Sequence, residues 1–159
     1  MAILTEDWVD KLSPSGLGDE WRLIPGQFAS YSIYSPIVVG FRDRVQKITR
    51  QASKTGDIGV VSNDFAIVEA RNNYQVEFWY RSNASLFLYR LNGTSLVNPG
   101  GGFVAAEYSA SPTNAVNVIE TVVGNSLPFN GIVFYLNTDK FSGPTIWFEI
   151  DRVSCREII

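Results

Sequence analysis

The stretch Tyr74-Gln75-Val76-Glu77-Phe78-Trp79-Tyr80-Arg81 alternates between two kinds of side chain without a break, and nothing else in the sequence constrains the fold as tightly. A period of two belongs to a β-strand, whose successive side chains point to opposite faces. Tyr74, Val76, Phe78 and Tyr80 therefore share a core face, and Gln75, Glu77, Trp79 and Arg81 share the other. The same split recurs twice. Ile146, Phe148 and Ile150 oppose Trp147, Glu149 and Asp151, while Ile132, Phe134 and Leu136 oppose Val133, Tyr135 and Asn137. Three strands thus each carry an aromatic on the outer face, which a sheet that only meets solvent does not require.

Further strands are expected at 27–34, 37–39, 43–51, 57–61, 65–70, 85–91, 103–108 and 113–122. Turn residues separate them: Pro25-Gly26, Thr55-Gly56, Asn72-Asn73, Asn92-Gly93, the run Asn98 to Gly102, Pro128 and Gly143-Pro144. Many short strands at this spacing predict an all-β domain, a sandwich or barrel. Composition agrees, since 13% aromatic and only 18% charged residues suit a pleated, half-buried surface. Residues 1–19 read differently. Thr5 could cap a short helix with Glu6 and Asp7 in its first turn and Leu4, Trp8 and Leu12 at four-residue spacing. Such a piece is too short to stand alone and is expected to be a docking arm ahead of a β-domain over 20–159.

The sequence holds no histidine and one cysteine, Cys155, which removes Ser-His-Asp, Cys-His and most zinc arrangements. Cys155 falls in the last strand, where a buried, inert thiol is expected. Gly100-Gly101-Gly102 precedes a strand and not a helix, so it is no phosphate cradle. Glu77 and Glu149 could oppose each other as an acid–base pair, but solvated or ion-paired strand carboxylates are the simpler reading. No enzyme, cofactor or resident metal is expected. A net charge of −3 argues against nucleic acid, and no apolar run reaches the roughly 18 residues of a membrane helix. The N-terminus meets Glu6 and Asp7 too early for a signal peptide. The sequons at Asn83 and Asn92 read as chance occurrences.

Two segments resemble a known family. Asn73 to Ser82 looks like the Y-x-V-x-F-W-x-R-S strand of carbohydrate-binding-module-like (galactose-binding-like) jelly rolls, and Trp147 to Ile158 resembles their closing strand. The resemblance spans roughly residues 26–159 and implies a two-sheet antiparallel jelly-roll β-sandwich, here with a short N-terminal arm or helix. Arg152 stands where the family pattern has a second Asp, which puts in doubt the calcium often tied to that region.

Members of this type either bind sugars or serve in tailed-phage particles. With no hydrolase domain between Met1 and the closing strand, and with a segment that reads as an arm, the first expectation is a structural virion protein. It would be a capsid cement or decoration protein, made in the host cytoplasm, whose partners are other virion subunits in a homo-oligomer such as a trimer. The alternative is a carbohydrate-binding module or a tail or baseplate protein recognising a glycan. Trp79, Trp147, Tyr135 and Tyr89 would then stack on the sugar, and Gln75, Glu77, Arg81 and Glu149 would bind its hydroxyls.

Overall fold

The computed structural model describes residues 2–5, 21–23, 29–34, 45–50, 58–62, 73–91, 103–122, 131–136 and 145–158. The strands are β1 (Ala2–Thr5), β2 (Trp21–Leu23), β3 (Ala29–Tyr34), β4 (Val45–Arg50), β5 (Ile58–Ser62), β6 (Asn73–Ser82), β7 (Leu86–Leu91), β8 (Phe103–Tyr108), β9 (Ser111–Val122), β10 (Gly131–Leu136) and β11 (Trp147–Ile158). They form two antiparallel sheets packed as a jelly-roll β-sandwich. The first runs β3-β4-β11-β6-β9, with β1 also on β11; the second runs β2-β5-β10-β7-β8. The expected strands at 37–39 and 65–70, the Gly100–Gly102 loop, Trp8 and Leu12 lie outside the described residues.

The alternation in β6 is fully realised. Tyr74, Val76, Phe78 and Tyr80 are buried, and the residues between them are half-buried. Phe78 meets Phe134 of β10 edge-on, with ring centroids 4.7 Å apart, and this contact joins the two sheets at the centre of the core. Ile48, Ile58, Leu86, Leu88, Ile132, Leu136, Phe148 and Ile150 fill the space around it. Near the β8–β9 edge Tyr108 closes the sandwich: its ring stands edge-on to Phe78 at 5.4 Å, and its hydroxyl lies 3.5 Å from Glu120 Oε2. Burial, reinforced by Glu120, pushes the Tyr108 phenol well above its ordinary range.

β11 contains a bulge. Asp151 pairs with Trp79 but the next paired residue, Ser154, faces Glu77, so one extra residue sits on β11. Arg152 takes the strain with φ of 53°, a left-handed conformation uncommon outside glycine and asparagine. The bulge reverses the phase of the strand. Phe148 and Ile150 point inward before it, and Val153 and Cys155 after it.

The N-terminus begins as a strand docked on the first sheet, and the helix expected after Thr5 lies outside the described residues. Leu4 and Thr5 end this strand, and β1 pairs Ala2 with Glu157 and Ile3 with Arg156. β4 covers β11 only from Trp147 to Ile150, leaving the far half of that edge open. An extended segment satisfies the backbone groups there.

Phe78→Ala is expected to cost about 3–5 kcal/mol, as large-to-small changes of buried aromatics do. Urea denaturation should show the midpoint falling at an unchanged slope. Burial pushes the Cys155 thiol up to about 12, whereas the unfolded chain releases that proton near the ordinary value of about 8.5. The folded state holds the proton longer, so this contribution is fully present below about pH 8.5 and is lost as pH rises above it. A thiol reagent at pH 8 should label Cys155 only after denaturant is added. Rapid labelling of the native protein would contradict this burial.

Candidate functional site

The outer face of the first sheet is built on β6 and β11. Register sets Glu149 between Arg81 of β6 and Lys47 of β4. The Arg81 guanidinium donates two hydrogen bonds to the carboxylate, from Nε to Oε2 and from Nη2 to Oε1, both 2.8 Å long, and Lys47 Nζ lies 3.8 Å from Oε1. Trp147, two residues back on the same face, packs on the same cations. Lys47 Nζ is 4.5 Å and the Arg81 guanidinium 5.0 Å from its ring centroid. The side chain of Glu149 is 0% exposed as a result. An isolated buried carboxylate is costly, but a bidentate arginine, a lysine and an aromatic neighbour compensate it.

Asn83 sets the start of β11. Its amide donates to the Thr145 carbonyl at 2.8 Å and accepts from the Trp147 N–H at 2.9 Å, so a side chain extends the ladder by one step. Trp79 is occupied in a similar way to Trp147. The Arg152 guanidinium lies 4.8 Å from its ring centroid while Arg152 Nε donates to Asp151 Oδ2 at 3.0 Å. The residue that departs from the family pattern thus takes up the carboxylate beside it.

The expected sugar-binding set does not come together. Trp79, Trp147, Gln75, Glu77, Arg81 and Glu149 lie on the first sheet, whereas Tyr135 and Tyr89 lie on the second, on the other side of the core. Tyr135, on the outer face of the second sheet, cannot share one platform with Trp79 and Trp147 on the first. Glu149 and Arg81 bind each other and are not a free pair of hydroxyl ligands. Glu77 does not oppose Glu149: it faces Ser154, four positions along β6 from Arg81. At roughly 3.3 Å per residue that offset is about 13 Å, beyond the spacing of either glycosidase geometry.

On the outer face of the second sheet a different group assembles. Tyr135 of β10 stands opposite Gly59 of β5 on one side and Phe87 of β7 on the other. The Tyr135 and Phe87 rings lie 5.2 Å apart at 37°, and both are half-buried. Gly59, which brings no side chain, is itself buried beside Tyr135. Val133 is buried at the base of this face, and exposed Glu107 of β8 stands opposite Phe87. The backbone of Tyr89 pairs with Val133; its side chain lies outside the described residues. Phe87, Gly59 and Glu107 were missed in the sequence. The usable signal was Leu86-Phe87-Leu88-Tyr89, where the alternation that marks Tyr89 as outward marks Phe87 equally.

Removing one partner of the Glu149 group should expose its cost. Arg81→Leu is expected to destabilise the fold by about 3–5 kcal/mol, and adding Glu149→Leu should recover most of that loss. Denaturation of the two single variants and the double variant would measure the coupling. Additive losses would contradict the interdependence inferred from the geometry.

No family model and no curated protein sequence matches the chain. Solved structures do. The CBM22-1–GH10 modules of xylanase 10B from Clostridium thermocellum, complexed with xylohexaose, superpose with a TM-score of 0.62 at 12% identity over 98% of this chain, which spans 28% of that longer one. A family 29 carbohydrate-binding module from Piromyces equi gives 0.56 at 10% identity, covering 98% of this chain and 89% of that one. A mutant of a second family 29 module, complexed with mannohexaose, gives 0.56 at 16% identity, covering 99% and 93%. At these identities the likeness is one of fold: the chain has the jelly-roll sandwich of carbohydrate-binding modules.

Proposed function

We propose that this domain binds carbohydrate without transforming it, through the outer face of its second sheet. The observation that carries the reading is the half-buried Tyr135–Phe87 ring pair with exposed Glu107 opposite Phe87. Two rings inclined at 37° make a shallow trough, and the apolar face of a sugar ring loses water favourably against such a surface. Glu107 at its rim supplies an acceptor for hydroxyls. The tryptophans of the first sheet are weaker candidates, because Lys47, Arg81 and Arg152 already lie over their rings.

The shared fold supports sugar recognition ahead of the virion role expected from the sequence, since the similar structures are carbohydrate-binding modules and two of them were solved with oligosaccharides. The lack of histidine and the engagement of Glu149 by Arg81 and Lys47 favour a non-catalytic role.

Affinity electrophoresis against a panel of soluble polysaccharides, followed by calorimetry on the best, tests this. Tyr135→Ala and Phe87→Ala should each weaken binding by about tenfold or more, equivalent to roughly 1.4 kcal/mol, with unaltered circular dichroism. Trp79→Phe should leave affinity within about twofold. Absence of retardation by every glycan, or full affinity in Tyr135→Ala, would defeat the proposal.

A further inference from the structure

Among the described residues β9 is paired on one side only, with β6, and so forms an edge of the first sheet. It has 12 residues, against six in β3, four in β1, three in β2 and six in β8, the other described edges. Soluble domains usually blunt a long edge with lysine, proline or a bulge, because its unpaired N–H and C=O groups invite another strand. Here those devices protect only the first part. Pro112 lies there, and the pairing with β6 skips from Ser111 to Val116. From Ala115 to Val122 the strand reads Ala-Val-Asn-Val-Ile-Glu-Thr-Val, with no lysine or arginine. Ile119 is 59% exposed on its outer face and is the one exposed large hydrophobic residue among those described.

We propose that this half of β9 is a docking edge for a second copy of the chain, which adds its own β9 antiparallel across a two-fold axis at Ile119. Symmetric dimers reuse one patch on both partners, and strand addition satisfies a row of backbone groups on each side. The two-fold requirement can be checked residue by residue. An axis at Ile119 sets each Ile119 against its copy, covering the exposed apolar side chains. It places Asn117 opposite Thr121, both exposed, uncharged and able to hydrogen-bond. Glu120 then faces Val118, and Val116 faces Val122, so no like charges stand directly opposite. An axis at Glu120 would instead oppose two carboxylates. Outward residues meet outward residues in this register, so the first sheets of two copies continue into one.

Sedimentation or light scattering across the micromolar to millimolar range should show a concentration-dependent dimer. Ile119→Lys should give a monomer, because it sets two ammonium groups opposite each other, while Ile119→Val should keep the dimer. Unchanged circular dichroism in both variants would show that folding is intact. Cys155 is buried, so a single introduced cysteine reports alone. Under mild oxidation Ile119→Cys should cross-link to a covalent dimer, and Thr113→Cys should not. A wild type that stays monomeric throughout, a dimer that survives Ile119→Lys, or cross-linking of Thr113→Cys equal to that of Ile119→Cys would each overturn the proposal. None of these outcomes depends on whether sugar is bound.

Discussion

The fold depends on Phe78 and Phe134 meeting across the two sheets. Each sheet has one apolar face that must leave water, and the stable solution is to press those faces together about 10 Å apart. Edge-on packing of these rings, with Tyr108 closing one side, occupies that space. Once the inward positions are fixed, the pleat leaves no freedom for the outward ones. Trp79 must point away from the core because Phe78 and Tyr80 point into it, and Tyr135 must do so because Phe134 and Leu136 are buried.

The same constraint separates the outer aromatics. β6 and β11 belong to one sheet and β10 to the other, so their outward rings face opposite sides of the molecule. The two faces then diverge in chemistry. On the first, cations from neighbouring strands lie over both tryptophans and bind the carboxylates of Glu149 and Asp151. The charges and rings there satisfy one another. On the second, the rings of Tyr135 and Phe87 lie against each other across β10 and β7, next to Gly59. An aromatic that a strand places outward can thus pair with cations or with another ring. The adjacent strands decide which.

Much of this was legible in particular residues. The two-residue period of β6 assigned every one of its core side chains, and the burial of Cys155 followed from its place in the last strand. The bulge is also written in the phase of the sequence. Phe148 and Ile150 are two apart, but the next inward residue, Val153, is three further on. Such a slip marks one extra residue, because the pleat allows only steps of two. That residues 2–5 extend as a strand was not legible, because the edge of β11 they pair with is remote in the sequence.

The sequence by itself determined which side chains face inward and outward along each strand, because alternation is a local property of the extended backbone. It also excluded histidine-dependent chemistry, since composition needs no geometry. Tertiary structure alone decided which strands are neighbours, and with it everything that depends on lateral register. That includes Glu149 falling between Arg81 and Lys47, Tyr135 beside Gly59 and Phe87, and β9 at an edge with Ile119 exposed. These partners are tens of residues apart in the chain, and only the topology of two sheets closing on one core brings them together.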